Sequence, residues 1–409
     1  MSATYRGQIE RLFARSAFYR DKLRAAGFDS PAAVGGIECI AELPFTEKDE
    51  LRKSQAEHPP LGAHAAIDIS QAARIYSTSG TSGTPLYIPL TRNDVDDWRS
   101  IGRDTYSKNG LKAGERVVTT YGAGPFVAGA SLAAFEAIGC AHIPVGVGNT
   151  EKLLAALKQL SPQALACTPS YAMYIAEKLS GARTGLDRII VGGEPGGGEE
   201  TFRGKLEAAL GARVYEIMGI GDIAASLWGE CEAQSGMHYS GEGVIHVELI
   251  DPDTGKTMEL EDGATGELVY THLRREAAPL LRFRSRDHVR IWASPCSCGR
   301  TSLRVRCIGR TDDMLIVRGV NVFPSAVREV VARFQPGVTG AIQIRPKRRG
   351  VKQDPPLPVV VEGDASLGEA IAKEIRSTLL FTAEVRLVKP QSLPRSDYKS
   401  KLVDYSEAS

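Results

Sequence analysis

Apolar residues recur at helical spacing from the start of the chain, and Ile9, Leu12, Phe13, Phe18 and Leu23 predict a helix over residues 4–26 that ends near Gly27. Pro44-Phe45-Thr46 then offers a second helix start, with Thr46 as N-cap and Asp49 three residues on. The run 91–108 reads as a helix with Trp98 and Ile101 on one face. Beyond it, short apolar runs alternate with longer amphipathic ones. They predict strands over 115–121, 141–145, 164–167, 188–191 and 213–217, and helices over 128–139, 151–160, 169–179 and 199–210. Strands and helices alternating at these lengths imply a mostly parallel sheet covered on both faces. Open sheets of that kind hold ligands in loops beyond the strand carboxyl ends.

The pattern changes after about Gly229. Residues 244–251, 266–272, 288–293 and 303–308 alternate as antiparallel strands do, joined by turns such as Asp253-Thr254-Gly255. A further unit starts near Asp312, with strands over 314–317, 341–345, 357–362 and 383–389 and helices over 325–334 and 367–380. At about 95 residues it is large enough for its own core. The expected fold class is α/β. A large N-terminal domain (1–311) combines mostly parallel sheets flanked by helices with a β-rich subdomain (230–311), and a small C-terminal α+β domain (312–409) follows. No internal repeat is visible.

Composition narrows the class. The chain has 409 residues, 43% hydrophobic and 24% charged, which is globular, and a net charge of +1 gives no electrostatic reason for nucleic acid or an acidic membrane. The basic run Arg345, Lys347, Arg348, Arg349 and Lys352 reads as a solvated loop between strands. No stretch approaches a membrane span, and the polar, amphipathic N-terminus lacks the apolar core of a signal peptide. Seven scattered cysteines form no disulfide framework, so a cytoplasmic location is the default expectation. Phe13, Phe18 and Tyr19 on the first helix can pack on a partner subunit, giving a homodimer, or on the chain's own core.

Two sets of residues carry candidate chemistry. The first is the loop Tyr76 to Leu90, YSTSGTSGTPLYIPL. Its glycines permit a tight turn, and its hydroxyls and amide groups make a concave donor surface suited to phosphate oxygens. The alternative is a flexible Ser/Thr/Gly linker. No lysine follows the second glycine, so it is not the common nucleotide loop. The second set is Cys231, His238, Cys296 and Cys298, the soft and imidazole ligands that zinc takes tetrahedrally. The alternative is reduced cysteines in strand turns, with Cys140, Cys167 and Cys307 as buried apolar residues.

Eight segments in order then resemble the adenylate-forming ligases of the acyl-CoA synthetase class, in particular the phenylacetate–CoA ligase branch. They are the loop at 76–90, GVGNTEK (146–152), TPSYAMYIAE (168–177), VGGEP (191–195), GELVYTHLRREAAPLLRFRSRD (266–287), CSCGR (296–300), IGRTDDMLIVRGVNVFPS (308–325) and LPRSDYK (393–399). The resemblance spans nearly the whole chain. It implies that a carboxylate attacks the α-phosphorus of ATP, releasing pyrophosphate, and that the thiol of coenzyme A then takes the acyl group.

The residue roles it implies make physical sense. Ser77, Ser79, Gly80, Thr81, Ser82 and Gly83 would hold the pyrophosphate portion of ATP. Gly193, Glu194 and Pro195 match the adenine segment, and Met218 and Gly219 the next nucleotide segment. Asp287, a bidentate acceptor, suits the two ribose hydroxyls. Arg310, a donor-only group, would hold ribose or α-phosphate oxygens. Asp222 would bind Mg²⁺ through oxygen. Lys399 would reach the carboxylate and α-phosphate during adenylation, where a cation offsets growing charge. Asp312 matches the hinge of a mobile C-terminal domain, and Gly319 would line the coenzyme A tunnel. Tyr121, Phe126, Gly146 and Gly219 are candidates for the acyl pocket, which would suit an aromatic acid.

Several positions depart from the family pattern. Thr84 stands for a lysine, Met218 for an aromatic residue, Gly221 for a hydroxyl residue, Asp222 for glutamate, Arg286 and Tyr398 for glycines, and Leu402 for a frequent arginine. Arg286 offers a replacement positive charge near ATP. Two alternatives follow from these departures. One keeps adenylation but passes the acyl group to a carrier-protein phosphopantetheine or to the amine or hydroxyl of a second small molecule. The other is a degenerate ligase fold used for binding, against which the retention of Asp287, Arg310 and Lys399 argues.

Overall fold

The computed structural model describes residues 2–78, 85–121, 127–179, 181, 184–311, 313–318, 320–394, 402–406 and 408. The alternating pattern after residue 115 produces five parallel strands in the order Ala141–Pro144, Arg116–Thr119, Ala164–Cys167, Arg188–Val191 and Arg213–Ile220. Ala164–Cys167 is buried at every position, as expected of a short unbroken apolar run covered on both faces. Helices Thr150–Leu160, Pro169–Leu179 and Glu200–Leu210 pack Leu153, Leu157, Tyr171, Ile175 and Leu206 against these strands.

The sheet does not end where its parallel part ends. Strand Arg213–Ile220 pairs in parallel through its first half and antiparallel with Ala224–Glu230 through its second. The ladder then continues through Met237–Tyr239, Arg304–Arg310, Phe283–Trp292, Thr265–His272, Ile245–Ile250 and Thr257–Met258, making 12 strands. At the turn between the two halves, a Cβ on Gly219 would lie 1.8 Å from the Ala225 carbonyl oxygen, so only glycine fits.

The N-terminal segment forms two helices rather than the single expected one. Ser2–Arg15 and Ala17–Ala25 are separated by Ser16, whose hydroxyl accepts from the Tyr19 amide and donates to the Ala63 carbonyl. Tyr5, Ile9, Leu12, Phe13, Tyr19 and Leu23 pack with Leu273 and Leu281 of the chain itself. The next helix, Lys48–Glu57, is capped by Glu47 in a capping box with Glu50 instead of by Thr46. Thr46 is taken elsewhere, since its hydroxyl donates to the Leu281 carbonyl at 2.6 Å and meets the Tyr19 hydroxyl.

After Arg310 the chain builds a module with its own core, including Leu315, Val327, Val331, Ile344, Val359, Val361, Ile371 and Ile375. Strands Val338–Ile344, Leu357–Gly363 and Ala383–Val388 form one three-stranded sheet, backed by helices Pro324–Ala332 and Gly368–Leu379. Leu402, at the position of an expected arginine, packs against this core. Among the described residues, no helix is long and apolar enough to cross a membrane.

Candidate active site

The carboxyl ends of the parallel strands and the antiparallel ladder beside them gather many of the candidate residues. Strands Arg74–Ser77 and Tyr87–Leu90 form an antiparallel pair in the register Ser77↔Tyr87, so the hydroxyl-rich loop is the connection of a hairpin. The Thr78 amide bonds to the Leu86 carbonyl and closes its base. Ser79, Gly80, Thr81, Ser82, Gly83 and Thr84 lie outside the described residues, as do Phe126, Asp312, Gly319, Tyr398 and Lys399.

Three consecutive residues pin the site together. Thr46 bridges Phe283 at the start of the long strand, Glu47 meets Arg286 at 2.6 Å, and Lys48 donates to Asp222 Oδ2 at 2.7 Å. Asp222 is buried, and its Oδ1 has no hydrogen-bond partner among the described residues. One carboxylate oxygen is therefore held by a cation while the other is enclosed without a donor. A buried carboxylate oxygen without a donor fits a divalent cation such as Mg²⁺. The turn bearing Asp222 is fixed from behind, because the Ile223 carbonyl accepts from Trp98, Arg275 and His272. The Leu280 amide donates to His272 Nδ1, which leaves Nε2 as the protonated nitrogen facing Ile223. Burial and the neighbouring Arg275 keep this imidazole neutral. Lys48, Trp98 and Arg275 were not expected here; each joins positions over 50 residues apart.

Asp287 and Arg310 are direct cross-strand partners, and Arg310 Nη1 lies 3.0 Å from Asp287 Oδ1. Asp287 is buried and Arg310 is partly open to solvent. The two expected ribose contacts thus form one unit. Arg286 adopts φ +66, a left-handed backbone that glycine accepts more easily. Its guanidinium faces Glu47 at 2.6 Å and Glu267 at 3.7 Å, carboxylates it shares with Arg284, so the charge expected to serve ATP is engaged in an ion cluster of these side chains.

The segment Gly193, Glu194 and Pro195 follows strand Arg188–Val191, and Ser170 holds Glu194 Oε1 through both its amide and its hydroxyl. Under Gly197 and Gly198 lies Glu216, with Oε2 only 2.6 Å from where a Gly198 Cβ would stand. Arg203 is committed to Glu230 through two 2.7 Å bonds. Burial and the Glu230 charge push the Glu216 carboxyl up to about 7. A carboxyl raised above its unfolded value stabilises fully below the unfolded pKa, and that stability is lost as pH rises through the folded value. Glu216→Gln is therefore expected to be more stable than the parent at pH 8 by roughly 2–3 kcal/mol, with a smaller difference at pH 5. Urea unfolding at the two pH values measures this, and equal differences would count against it.

Tyr121 lies two residues beyond the strand Arg116–Thr119, is buried, and donates its hydroxyl to the Cys167 carbonyl. Gly146 follows the neighbouring strand with φ +80. Met218 is half-buried against the apolar core, and Gly219 is exposed at the close approach described above.

The four metal-ligand candidates, split in sequence, are brought together in the antiparallel half. His238 sits on the strand between Ala224–Glu230, which leads to Cys231, and Arg304–Arg310, which follows the turn holding Cys296 and Cys298. Their ligand atoms lie within 4.8 Å of one another. Cys231 Sγ and Cys296 Sγ are 3.8 Å apart, and Cys298 Sγ is 3.5 Å from His238 Nε2. A tetrahedral zinc with usual bond lengths would set these separations at about 3.8 Å and about 3.5 Å. The Ser302 hydroxyl lies 3.0 Å from the other ring nitrogen of His238, the arrangement that orients a ligating imidazole. The residues fit the ion.

Three comparisons bear on what this arrangement does. Residues 319–405 match the family model described as the AMP-binding enzyme C-terminal domain. The phenylacetate–coenzyme A ligase of Thermus thermophilus is 34% identical over 94% of this chain and 91% of its own length. Among solved structures, 2-hydroxyisobutyryl-CoA ligase in the postadenylation state, in complex with R3-HIB-AMP, aligns with a TM-score of 0.89 at 26% identity, covering 99% of this chain and 88% of that one. The same ligase in its thioesterification state, with 2-HIB-AMP and CoA, scores 0.72 at 27% identity over 98% and 88%. The whole-chain arrangement thus lies nearer the first state.

Proposed function

Since the chain belongs to the phenylacetate–coenzyme A ligase family of adenylate-forming enzymes, we propose that the acid it activates is a small aromatic carboxylic acid. The enzyme couples ATP to activation of a carboxylic acid and transfers the acyl group to coenzyme A. In the first step the carboxylate oxygen bonds to the α-phosphorus and pyrophosphate leaves. In the second, the coenzyme A sulfur bonds to the acyl carbon, the thiol proton departs and AMP leaves. Transfer to a carrier protein or a second small molecule is not favoured, and neither is a non-catalytic role.

The observation that carries the aromatic reading is the 34% identity sustained over 94% of the chain with a phenylacetate ligase. In our assignment Asp287 accepts from the ribose hydroxyls, and Arg310, held against it, donates to ribose or α-phosphate oxygens. Gly193, Glu194, Pro195, Met218 and Gly219 line the adenine side. Ser77 and the loop at 79–83 take the pyrophosphate portion. Asp222 would hold Mg²⁺ through Oδ1, and the ion would supply positive charge to phosphate oxygens. Lys399 offsets charge at the α-phosphate. Tyr121, Phe126, Gly146 and Gly219 border the acid. Cys231, His238, Cys296 and Cys298 hold a structural zinc. The C-terminal module turns about Asp312 between the two steps and brings Gly319 to the coenzyme A path. The two states named for the solved relative support that turn.

ATP–pyrophosphate exchange over a panel of aryl, arylacetic and short aliphatic acids, followed by coenzyme A and detection of thioester, tests the reading. Exchange confined to aliphatic acids ends the aromatic assignment. On the best acid, Asp287→Ala is expected to raise the KM for ATP by about tenfold to a hundredfold, because charged hydrogen bonds to both ribose hydroxyls are lost. An unchanged KM removes Asp287 from the ribose.

A further inference from the structure

Arg328 belongs to helix Pro324–Ala332 of the C-terminal module, yet its guanidinium is buried in the N-terminal domain. Nη2 donates to the Pro195 carbonyl at 2.5 Å and pairs with Glu199 at 3.2 Å. The guanidinium carbon lies 5.9 Å from the centroid of the Phe202 ring. The N-terminal backbone is shaped around it. Gly196 adopts φ +136, and a Cβ there would stand 2.6 Å from Nη2. The same helix start is held at a second point, where Ser325 donates to the Ile308 carbonyl at 2.7 Å.

A desolvated guanidinium is costly unless its donors are met, and with Nε unpartnered among the described residues that cost is offset by the Nη2 contacts. Here two acceptors lie in the other domain, beginning with the last residue of the Gly193–Pro195 segment. Turning the module away strips Pro195 and Glu199 of their donor and returns the guanidinium to water. We propose that Arg328 is a positioning residue for adenylation, a clasp that fixes the Pro195 backbone only while the module sits in the arrangement seen here, and that thioester formation requires its release. This rests on the two-orientation reading above. It adds that one side chain makes the shape of the nucleotide segment depend on module orientation.

The two half-reactions should then respond differently to its loss. In the full chain, Arg328→Met is expected to lower ATP–pyrophosphate exchange about tenfold or more and to raise the KM for ATP, while thioester formation from supplied acyl-adenylate and coenzyme A holds or accelerates. Arg328→Lys keeps a cation without the fork and should recover part of the exchange. Glu199→Gln should give a smaller loss in the same direction, and combining it with Arg328→Met should add little. One dye on each domain reports orientation in the same samples, and Arg328→Met should shift the resting distance toward the value reached with adenylate and coenzyme A. A parent whose dyes keep one distance under all ligands overturns the two-orientation reading and the clasp with it. A parent that turns, beside a variant that matches it in exchange and distance, overturns the clasp alone. Equal losses in both half-reactions, or no recovery by lysine, also overturn it.

Discussion

Lys399→Ala is expected to slow adenylation by two to three orders of magnitude, roughly 3–4 kcal/mol in the barrier, while leaving the second half-reaction within about threefold of the parent. As carboxylate oxygen, α-phosphorus and departing pyrophosphate share charge in the first transition state, a fixed cation lowers its energy more than that of bound ATP. In the second step pyrophosphate has already left, so no charge builds on its oxygens, and the bond that breaks is the acyl–oxygen bond of the mixed anhydride, which releases AMP. The lysine lies within the span matched to the AMP-binding C-terminal family model, residues 319–405. The measurement is exchange of labelled pyrophosphate set against thioester formation from synthetic acyl-adenylate. A variant impaired equally in both assays would mean that Lys399 supports the fold or the acid rather than the α-phosphate.

The second large effect concerns the cysteine cluster. Purified in the presence of zinc, the parent should carry about one equivalent, and Cys298→Ser should carry less than a tenth with a Tm lower by roughly 10 °C. The candidate ligands come from a strand exit, the next strand and a distant turn, so an ion held there would tie together three pieces of the antiparallel half. Without it, three thiols and an imidazole are left buried or half-buried with mainly one another for partners. Asp287 and Arg310 lie on the same ladder, so the KM for ATP should rise in the variant as temperature approaches its lowered Tm. A metal-free parent with the same Tm before and after chelation excludes the structural zinc.

The elements legible in the sequence were those whose apolar residues point inward. Ala164–Cys167 and Pro169–Leu179 stand where the pattern put them, and Thr91 caps its helix through a full capping box. The long strand Phe283–Trp292 was predicted only from residue 288, although its burial alternates along its length. Two of its inward positions are Ser285 and Asp287, so residues of the site itself broke the apolar signal. Ala224–Glu230 was missed for the opposite reason, being buried almost throughout with no period to read. In the candidate site, motif order singled out Asp287 and Arg310, which the ladder pairs. It could not find Lys48 against Asp222 or Arg328 against Pro195, because a salt bridge between residues 174 apart and a hydrogen bond across 133 leave no local trace. The four metal candidates could be named from their chemistry, but only the fold joins them.

Strand Arg213–Ile220, parallel to one neighbour and antiparallel to the other, also governs the mechanics of the molecule. Sliding the parallel half against the antiparallel half would shear hydrogen-bond ladders on this strand, and those ladders resist displacement together. The sheets of the C-terminal module share no ladder with the 12-stranded plate among the described residues. Reorienting the module therefore does no work against strand pairing. The softest direction of the molecule is set by where the hydrogen-bonded plate stops, because the strands on either side of Arg213–Ile220 are tied into that plate and the sheets of the module are not.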